Sequence, residues 1–278
     1  MTLVTVVHLA RAANGVDPLR RFLSSYVAHE NNVPHSLQVL CKGYDLDAEV
    51  KAELDRLGVR ASFEVLPDDG VDIGAYFAGA RSVKTEFVCF LNSFSEIVSP
   101  NWLDKLMRGL QQPGVGVAGA TGSFESAAYA HALGLRRRWR SLIRSRNAIG
   151  KAAADLLRLT HQFPWYPNPH LRTNAFVLRT TLFTKLRLAG PDKFAALLFE
   201  SGYRSMTRQL RAQRLDSVVV GADGGLFEIK AWPTSGTFRA YGQNNLLVQD
   251  NQTRRYEQSI SAEQSRLGRY AWGKHFRP

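Results

Sequence analysis

The sequence is short of the features that most quickly betray a class. Its 278 residues hold two cysteines, Cys41 and Cys89, too few for a disulfide framework. Both fall in apparent strands and read as reduced core residues, which fits a cytoplasmic compartment. No apolar run approaches the roughly 18 residues of a membrane span. The opening MTLVTVVHLARA has neither the basic head nor the long apolar core of a signal peptide, and its alternation reads as a first strand. There is no Walker sequence, and no G-x-G-x-x-G follows that strand. Gly114, Gly116 and Gly119 run through a strand and carry no nucleotide signature. Internal repeats and low-complexity tracts are also lacking.

Positive charge is in excess. The net charge is +12, and much of it lies between Arg136 and Arg158. An anionic partner follows: nucleic acid, an anionic membrane or a phosphorylated substrate. In residues 135–159 (LRRRWRSLIRSRNAIGKAAADLLRL), Leu135, Trp139, Leu142, Ile143 and Ile149 form an apolar stripe among arginines. That is the composition of a helix lying on an anionic membrane surface, which would make the protein peripheral at an inner membrane face. It is also that of a solvated helix packed by one face on its own domain, the commoner case. Nucleic acid is not the expected partner, because aromatics for base stacking are sparse and no binding signature is present.

The periodicity alternates. Strands are predicted at Leu3–Ala10, Leu37–Cys41, Ala61–Leu66, Glu86–Leu91 and Val115–Ala118. Helices are predicted from Asp17, over Asp47–Leu57, and around Tyr76, Phe77 and Ala80. After Glu86–Leu91 comes a polar turn, Asn92–Glu96, then a helix with Ser99 as its cap, Pro100 at its first position, and Trp102, Leu103, Leu106, Met107 and Leu110 on one face. The rhythm predicts an α/β fold with a mostly parallel sheet flanked by helices. A polar loop at the carboxyl end of a core strand is where such sheets bind ligands.

Ala127–Leu159 reads as helix, and Phe163–His170 as a stiff extended loop carrying Pro164, Pro167 and Pro169. A strand is expected at Leu171–Arg179, helices at Thr180–Leu188 and Phe194–Arg211, with Phe199–Gly202 inside or at a break in the second, and a last strand at Ser217–Val220. The remainder, to Pro278, shows little periodicity.

Six stretches resemble, in order and spacing, an inverting GT-A-type glycosyltransferase of family 2, in a bacterial branch. They are residues 72–76 (DIGAY), 90–93 (FLNS), 99–103 (SPNWL), 119–123 (GATGS), 167–174 (PNPHLRTN) and 199–202 (FESG). The resemblance implies a GT-A-like (Rossmann-like) fold, a nucleotide-sugar donor, a glycan or lipid-linked acceptor, and a place in bacterial surface polysaccharide synthesis. It implies one domain across 1–278: a nucleotide-sugar-binding half at 1–125, a basic helical insertion at 126–162, and an acceptor-side half with the tail at 163–278. The chemistry needs neutralisation of the leaving diphosphate, by Mn2+ or Mg2+ or by side-chain cations. It also needs a carboxylate base for the acceptor hydroxyl.

The family's acidic pair after the central strand is missing. The turn reads Asn92-Ser93-Phe94-Ser95-Glu96, with Phe94 where a metal-binding aspartate is expected. The turn after strand two, Cys41-Lys42-Gly43-Tyr44-Asp45, is altered too. Metal ligands are therefore not assigned, and the phosphates fall to Lys42, Arg81 or Arg172, or the metal site is weak, or catalysis is lost. The alternative is a non-catalytic GT-A-fold binding or scaffold protein. Asp72 fits the donor side and equally fits a helix cap. Arg81, Asn92 and Ser93 go with the donor, and Glu96 with a sugar or a metal's water shell. Glu200 is the candidate base, desolvated by the run Phe194–Phe199. Arg204 and Arg208 are placed to meet phosphate or to pair with Glu200. Asp250 is a reserve candidate for base or for binding. His170 reads as a structural histidine, Trp165, Tyr166 and Trp232 as core or sugar-stacking groups, and Asp223 as turn chemistry.

Overall fold

The computed structural model describes residues 3–29, 31–43, 48–68, 72–142 and 146–278. In β1 (Val4–Arg11) the side chains alternate between two buried faces, Val4, Val6 and Ala10 on one and Val7 and Leu9 on the other. A strand buried on both faces belongs inside a sheet covered on both sides. α1 (Asp17–Ala28) carries Pro18 in its first turn, where a missing N–H costs nothing, and buries Leu19, Phe22 and Leu23. Then follow β2 (His35–Lys42), α2 (Ala48–Leu57), β3 (Ala61–Leu66), α3 (Asp72–Ser82), β4 (Phe87–Leu91), β5 (Glu96–Ile97), α4 (Trp102–Leu110), β6 (Val115–Gly119) and β7 (Gly122–Ser123). Two helices, α5 (Ala127–Leu142) and α6 (Arg146–Gln162), precede β8 (His170–Leu171), β9 (Ala175–Arg179), α7 (Thr180–Phe183), α8 (Lys193–Ser201) and α9 (Met206–Ala212). The chain finishes with β10 (Asp216–Val220), β11 (Leu226–Phe227), β12 (Val248–Gln249), α10 (Asn251–Glu257) and α11 (Ser261–Trp272).

Eight strands form one sheet in the order β11-β10-β6-β9-β4-β1-β2-β3. All run the same way except β9, antiparallel to β4 and β6, and β11, antiparallel to β10. The fold is thus α/β with a mostly parallel sheet. Helices α1, α2 and α4 cover one face through Phe22, Leu54, Trp102 and Leu106. Helices α3, α7, α8, α9 and α11 cover the other through Tyr76, Phe183, Phe199, Leu210 and Trp272. Burying each such side chain stabilises the fold by about 1.5–3 kcal/mol. Cys41 and Cys89 are both buried in the core.

Several boundaries differ from the sequence reading. Ser99 does not cap α4: Asn101 precedes the helix with a left-handed φ of 53°, and the Ser99 hydroxyl accepts from Lys105 Nζ at 2.9 Å. The helix expected over Ala127–Leu159 is two helices, and Trp139, Leu142 and Ile143 of its apolar stripe lie outside the described side chains. The strand expected at Leu171–Arg179 divides into β8, paired with β7, and β9 in the main sheet. Of the two readings for Phe199–Gly202, inside the Phe194–Arg211 helix or at a break in it, the break is found: Gly202, with extended backbone (ψ −178°), ends α8. The tail holds two unexpected helices. The buried face of α11 is Leu267, Gly268, Ala271 and Trp272, a helical spacing hidden by two small residues. Among the described residues no helix is long and apolar enough to cross a membrane.

Candidate functional site

From β1 the chain winds outward through β2 to β3, then returns to place β4 on the other side of β1. That reversal is a topological switch point, and the carboxyl ends of strands flanking such a point are where open α/β sheets form a ligand crevice. Arg11 ends β1, Lys42 ends β2, and Asp68 and Asp72 follow β3. Arg11 Nε meets Asp68 Oδ1 at 3.0 Å, and the buried Lys42 Nζ lies 4.0 Å from the same oxygen. Asp72, first residue of α3, has its carboxyl pushed up by burial, against the pull of Lys42 and Arg11. Tyr44 and Asp45 lie outside the described residues.

The turn after β4 closes on itself. Asn92 Oδ1 accepts from the Phe94 N–H at 2.9 Å and the Ser95 hydroxyl at 3.1 Å, while the Asn92 N–H donates to the Asn174 carbonyl at 3.0 Å. Ser93 Oγ is buried with no hydrogen-bond partner among the described residues. A guanidinium comes to this turn from α10: Arg254 donates to Glu96 Oε2 at 3.0 Å and to the Phe94 carbonyl at 3.1 Å. Hard divalent cations need carboxylate or other free oxygen ligands in number. Here the amide oxygen is used twice, the one carboxylate is paired with an arginine, and Phe94 offers no side-chain ligand. Among the described residues no group of three or more His, Cys, Asp or Glu is arranged to hold a metal. The described residues of this turn do not fit Mn2+ or Mg2+.

A second concavity, about 240 Å³, opens where β9 begins, and its walls include Glu125, His170, Arg172, Glu200, Arg239 and Tyr270. Glu200 sits in the last turn of α8 and is half-buried. Its Oε1 accepts from the Thr173 N–H at 3.0 Å and the Thr173 hydroxyl at 3.3 Å, and among the described residues it has no salt bridge. Arg172 is buried, donating to Asp250 Oδ2 at 2.7 Å and Thr121 Oγ1 at 3.3 Å. Arg239, also buried, pairs with Glu125 and donates to Gln252 Oε1 at 2.9 Å. Its backbone is left-handed, φ 47°, a conformation held by the Gln243 side chain on its N–H. His170 Nδ1 lies 2.8 Å from the Asn168 carbonyl, an acceptor only, so Nδ1 carries the proton. Burial lowers the His170 pKa, with Glu200 opposing, so burial favours the neutral ring. Among the described residues the buried Tyr76 hydroxyl has no hydrogen-bond partner, and its pKa is raised by burial and then by Asp72 and Glu200. The phenol thus feels both the crevice and the cavity.

The structure gathers Asp72, Lys42, Asn92, Ser93, Arg172 and Glu200 along one sheet edge. Three expectations need correction. Arg81 lies in the last turn of α3, nine residues beyond Asp72, roughly 14 Å along the axis toward the opposite edge. Arg204 is exposed beyond the break at Gly202, and Arg208 stands over the Tyr203 ring at 5.6 Å, so neither holds a helical spacing to Glu200. Asp250 is unsuited to act as a base: it caps α10 through Oδ1 and meets Arg172 through Oδ2. Burial alone raises its pKa, but Arg172 and the Thr253 bonds prevail and hold it below the usual carboxylate range. Trp232 is fully buried, with Nε1 donating to the Phe227 carbonyl at 2.9 Å, and Asp223 Oδ1 accepts from the Gly225 N–H in a turn. Sequence reasoning missed Glu125, Arg239, Gln252 and Tyr270. Arg239 and Gln252 lie in the aperiodic tail, and only the capping box of Asp250 and Thr253 marks that region as ordered.

No protein-family model matches the chain, and no curated protein matches it. Among solved structures it is similar to a mannosyltransferase from Pyrobaculum calidifontis in complex with GDP-mannose and Mn2+, at 11% identity, covering 84% of this chain and 59% of that one, with a TM-score of 0.46. It is similar to glucosyl-3-phosphoglycerate synthase from Mycobacterium tuberculosis in complex with Mn2+, UDP and glucosyl-3-phosphoglycerate, at 16% identity, covering 69% and 61%, TM-score 0.41. A CMP:2-keto-3-deoxy-manno-octonic acid synthetase complexed with CTP is similar at 12% identity, covering 77% of this chain and all of that one, TM-score 0.42. The chain spans less than two thirds of the length of the first two.

Proposed function

We propose that this chain is a GT-A-type glycosyltransferase that moves a sugar from a nucleotide-sugar donor to a glycan or lipid-linked acceptor. One observation carries the reading: Glu200 presents a carboxylate to a polar cavity, has no salt bridge among the described residues, and stands on the sheet edge that holds the switch-point crevice. The donor lies in the crevice, its nucleotide beside Asp72 and its diphosphate near Lys42. Thr173 anchors Glu200 Oε1, so Oε2 takes the proton of the acceptor hydroxyl as that oxygen attacks the anomeric carbon. The nucleoside diphosphate departs from the opposite face and the configuration inverts. Because the turn after β4 does not fit a divalent ion, no step runs through one.

In this reading residues 1–125 form the donor side, 126–162 a basic insertion, and 163–278 the acceptor side. On α6, Ile149, Ala153 and Leu157 recur every fourth residue and form an exposed apolar stripe, while Lys151 and Arg158 lie on the other side of the helix. An exposed apolar stripe on a basic helix suits an anionic membrane surface, where a lipid-linked acceptor of bacterial surface polysaccharide synthesis would be met.

The test is a thermal-shift titration with UDP, GDP, CDP and dTDP. A nucleotide at a hundred times its Kd stabilises the fold by about 2.7 kcal/mol. Stabilisation by one nucleotide, lost in Asp72→Ala, supports the proposal. No response to any of the four counts against it. The Arg254-occupied turn favours a second reading, a non-catalytic binding protein. Nucleotide-sugar binding with no turnover, in wild type as in Glu200→Gln, would select that reading.

A further inference from the structure

We propose that the cavity beside Glu200 is a subsite for one uncharged glycosyl unit of the acceptor, and that the Arg239–Glu125 pair makes it reject phosphorylated and carboxylated sugars. The inference rests on the transferase reading, which places the acceptor in this cavity. At about 240 Å³ the cavity is smaller than the roughly 300–1,000 Å³ of sites for drug-sized ligands. A single sugar ring suits it better than a nucleotide.

Two buried arginines would suggest an anion site, but the charges are already balanced. Arg172 faces Asp250 at 2.7 Å and Arg239 faces Glu125. Glu200 is a third carboxylate, without a cation of its own among the described residues, and burial favours the neutral ring of His170. Two cations therefore stand among three carboxylates. A phosphate or carboxylate entering this partly desolvated space would add to an existing excess of negative charge.

What the walls offer instead is a mixture of donors and acceptors. Arg239 holds the Gln252 amide oxygen, and among the described residues the Gln252 amide nitrogen has no hydrogen-bond partner and is left to donate. Glu200 Oε2 and His170 Nε2 are acceptors, the latter because Nδ1 holds the proton. A sugar hydroxyl both donates and accepts, so neighbouring hydroxyls can use both kinds. The two guanidiniums lie 4.3 and 4.7 Å from the Phe238 ring centre, which holds them in fixed planes.

The experiment is ligand-observed NMR on the full chain with methyl hexopyranosides, hexose 6-phosphates and hexuronates at low salt, with the four nucleoside diphosphates titrated in parallel. The expected result is that at least one neutral glycoside binds tenfold or more tighter than any phosphate or uronate. Glu125→Gln leaves Arg239 without its counter-charge and is expected to shift that ratio by tenfold or more toward the anions. Should Glu125→Gln fail to fold, Gln252→Lys adds a cation to the same wall and is expected to shift the ratio the same way. Equal or tighter binding of anionic sugars by the wild type overturns the proposal, as does an unchanged ratio in a folded variant. Nucleotide binding with no saccharide binding overturns the subsite and leaves the transferase standing. Saccharide binding with no nucleotide binding overturns the transferase reading and leaves a sugar-binding cavity.

Discussion

Arg172 and Asp250, 78 residues apart in the chain, meet at 2.7 Å in the interior. The pair ties the start of β9 to the N-terminus of α10, so one ion pair fixes a wall of the cavity and the cap of a helix. Burial of both groups makes the pair costly to break from one side. Asp250→Asn keeps the amide oxygen that caps α10 but leaves Arg172 uncompensated, and should destabilise the fold by about 3–5 kcal/mol in urea unfolding. Combining it with Arg172→Met should restore part of the loss. Because the Asp250 pKa is below its unfolded value of about 3.9, its contribution is present above that pH and is lost as pH falls through the folded value.

His8 predicts a separate acid sensitivity. It lies fully buried in β1, stacked on Phe22 at 3.7 Å, with neither ring nitrogen bonded among the described residues, and burial lowers its pKa from 6.5 to about 3. The unfolded chain binds this proton more readily than the folded one. Stability is therefore unaffected above pH 6.5 and falls by up to about 1.4 kcal/mol per pH unit between there and the folded value. His8→Leu should move the acid-unfolding midpoint, followed by circular dichroism, to lower pH.

Glu200→Gln should slow sugar transfer by about 10²–10⁴-fold. Gln still accepts from Thr173 through its amide oxygen, so the fold and nucleotide affinity should be unchanged in calorimetry. A fall in both nucleotide affinity and stability would mean that Glu200 is structural.

Metal removal should change little. With the Glu96 carboxylate held by Arg254 and Phe94 in the metal position, calorimetric nucleotide affinity should be the same in EDTA as in Mn2+ or Mg2+. Tenfold tighter binding with either ion would show that a metal completes the site.

For the basic helices the expectation is co-sedimentation with anionic vesicles at low salt. It should weaken as salt rises, and Leu157→Glu, at a side chain 60% exposed, should weaken it further. No sedimentation at low salt would remove the membrane surface from the proposal.

The main sheet was legible because strands buried on both faces leave near-continuous apolar runs, as at Val4–Arg11 and Phe87–Leu91. The apolar stripe of α4 was equally plain, but its cap was not. Ser99 and Pro100 satisfy a local rule, yet Lys105 holds the serine hydroxyl and Asn101 makes the entry turn. The tail was unreadable for a different reason. Gly268 bears part of a packing face because a side chain there would lie 2.0 Å from the Phe276 ring, and a glycine gives no hydrophobic signal.

At the site, the sequence by itself determined which groups are present: Asp72 opening a helix, Glu200 after an apolar run, and no acidic pair after β4. Those are local facts, set by neighbours in the chain and by strand and helix period. Tertiary structure alone decided which of them meet. Glu200 with Thr173, Arg172 with Asp250 and Arg239 with Glu125 join residues 27, 78 and 114 positions apart. Buried charge must find its partner wherever the fold brings one, and no spacing in the sequence records that choice.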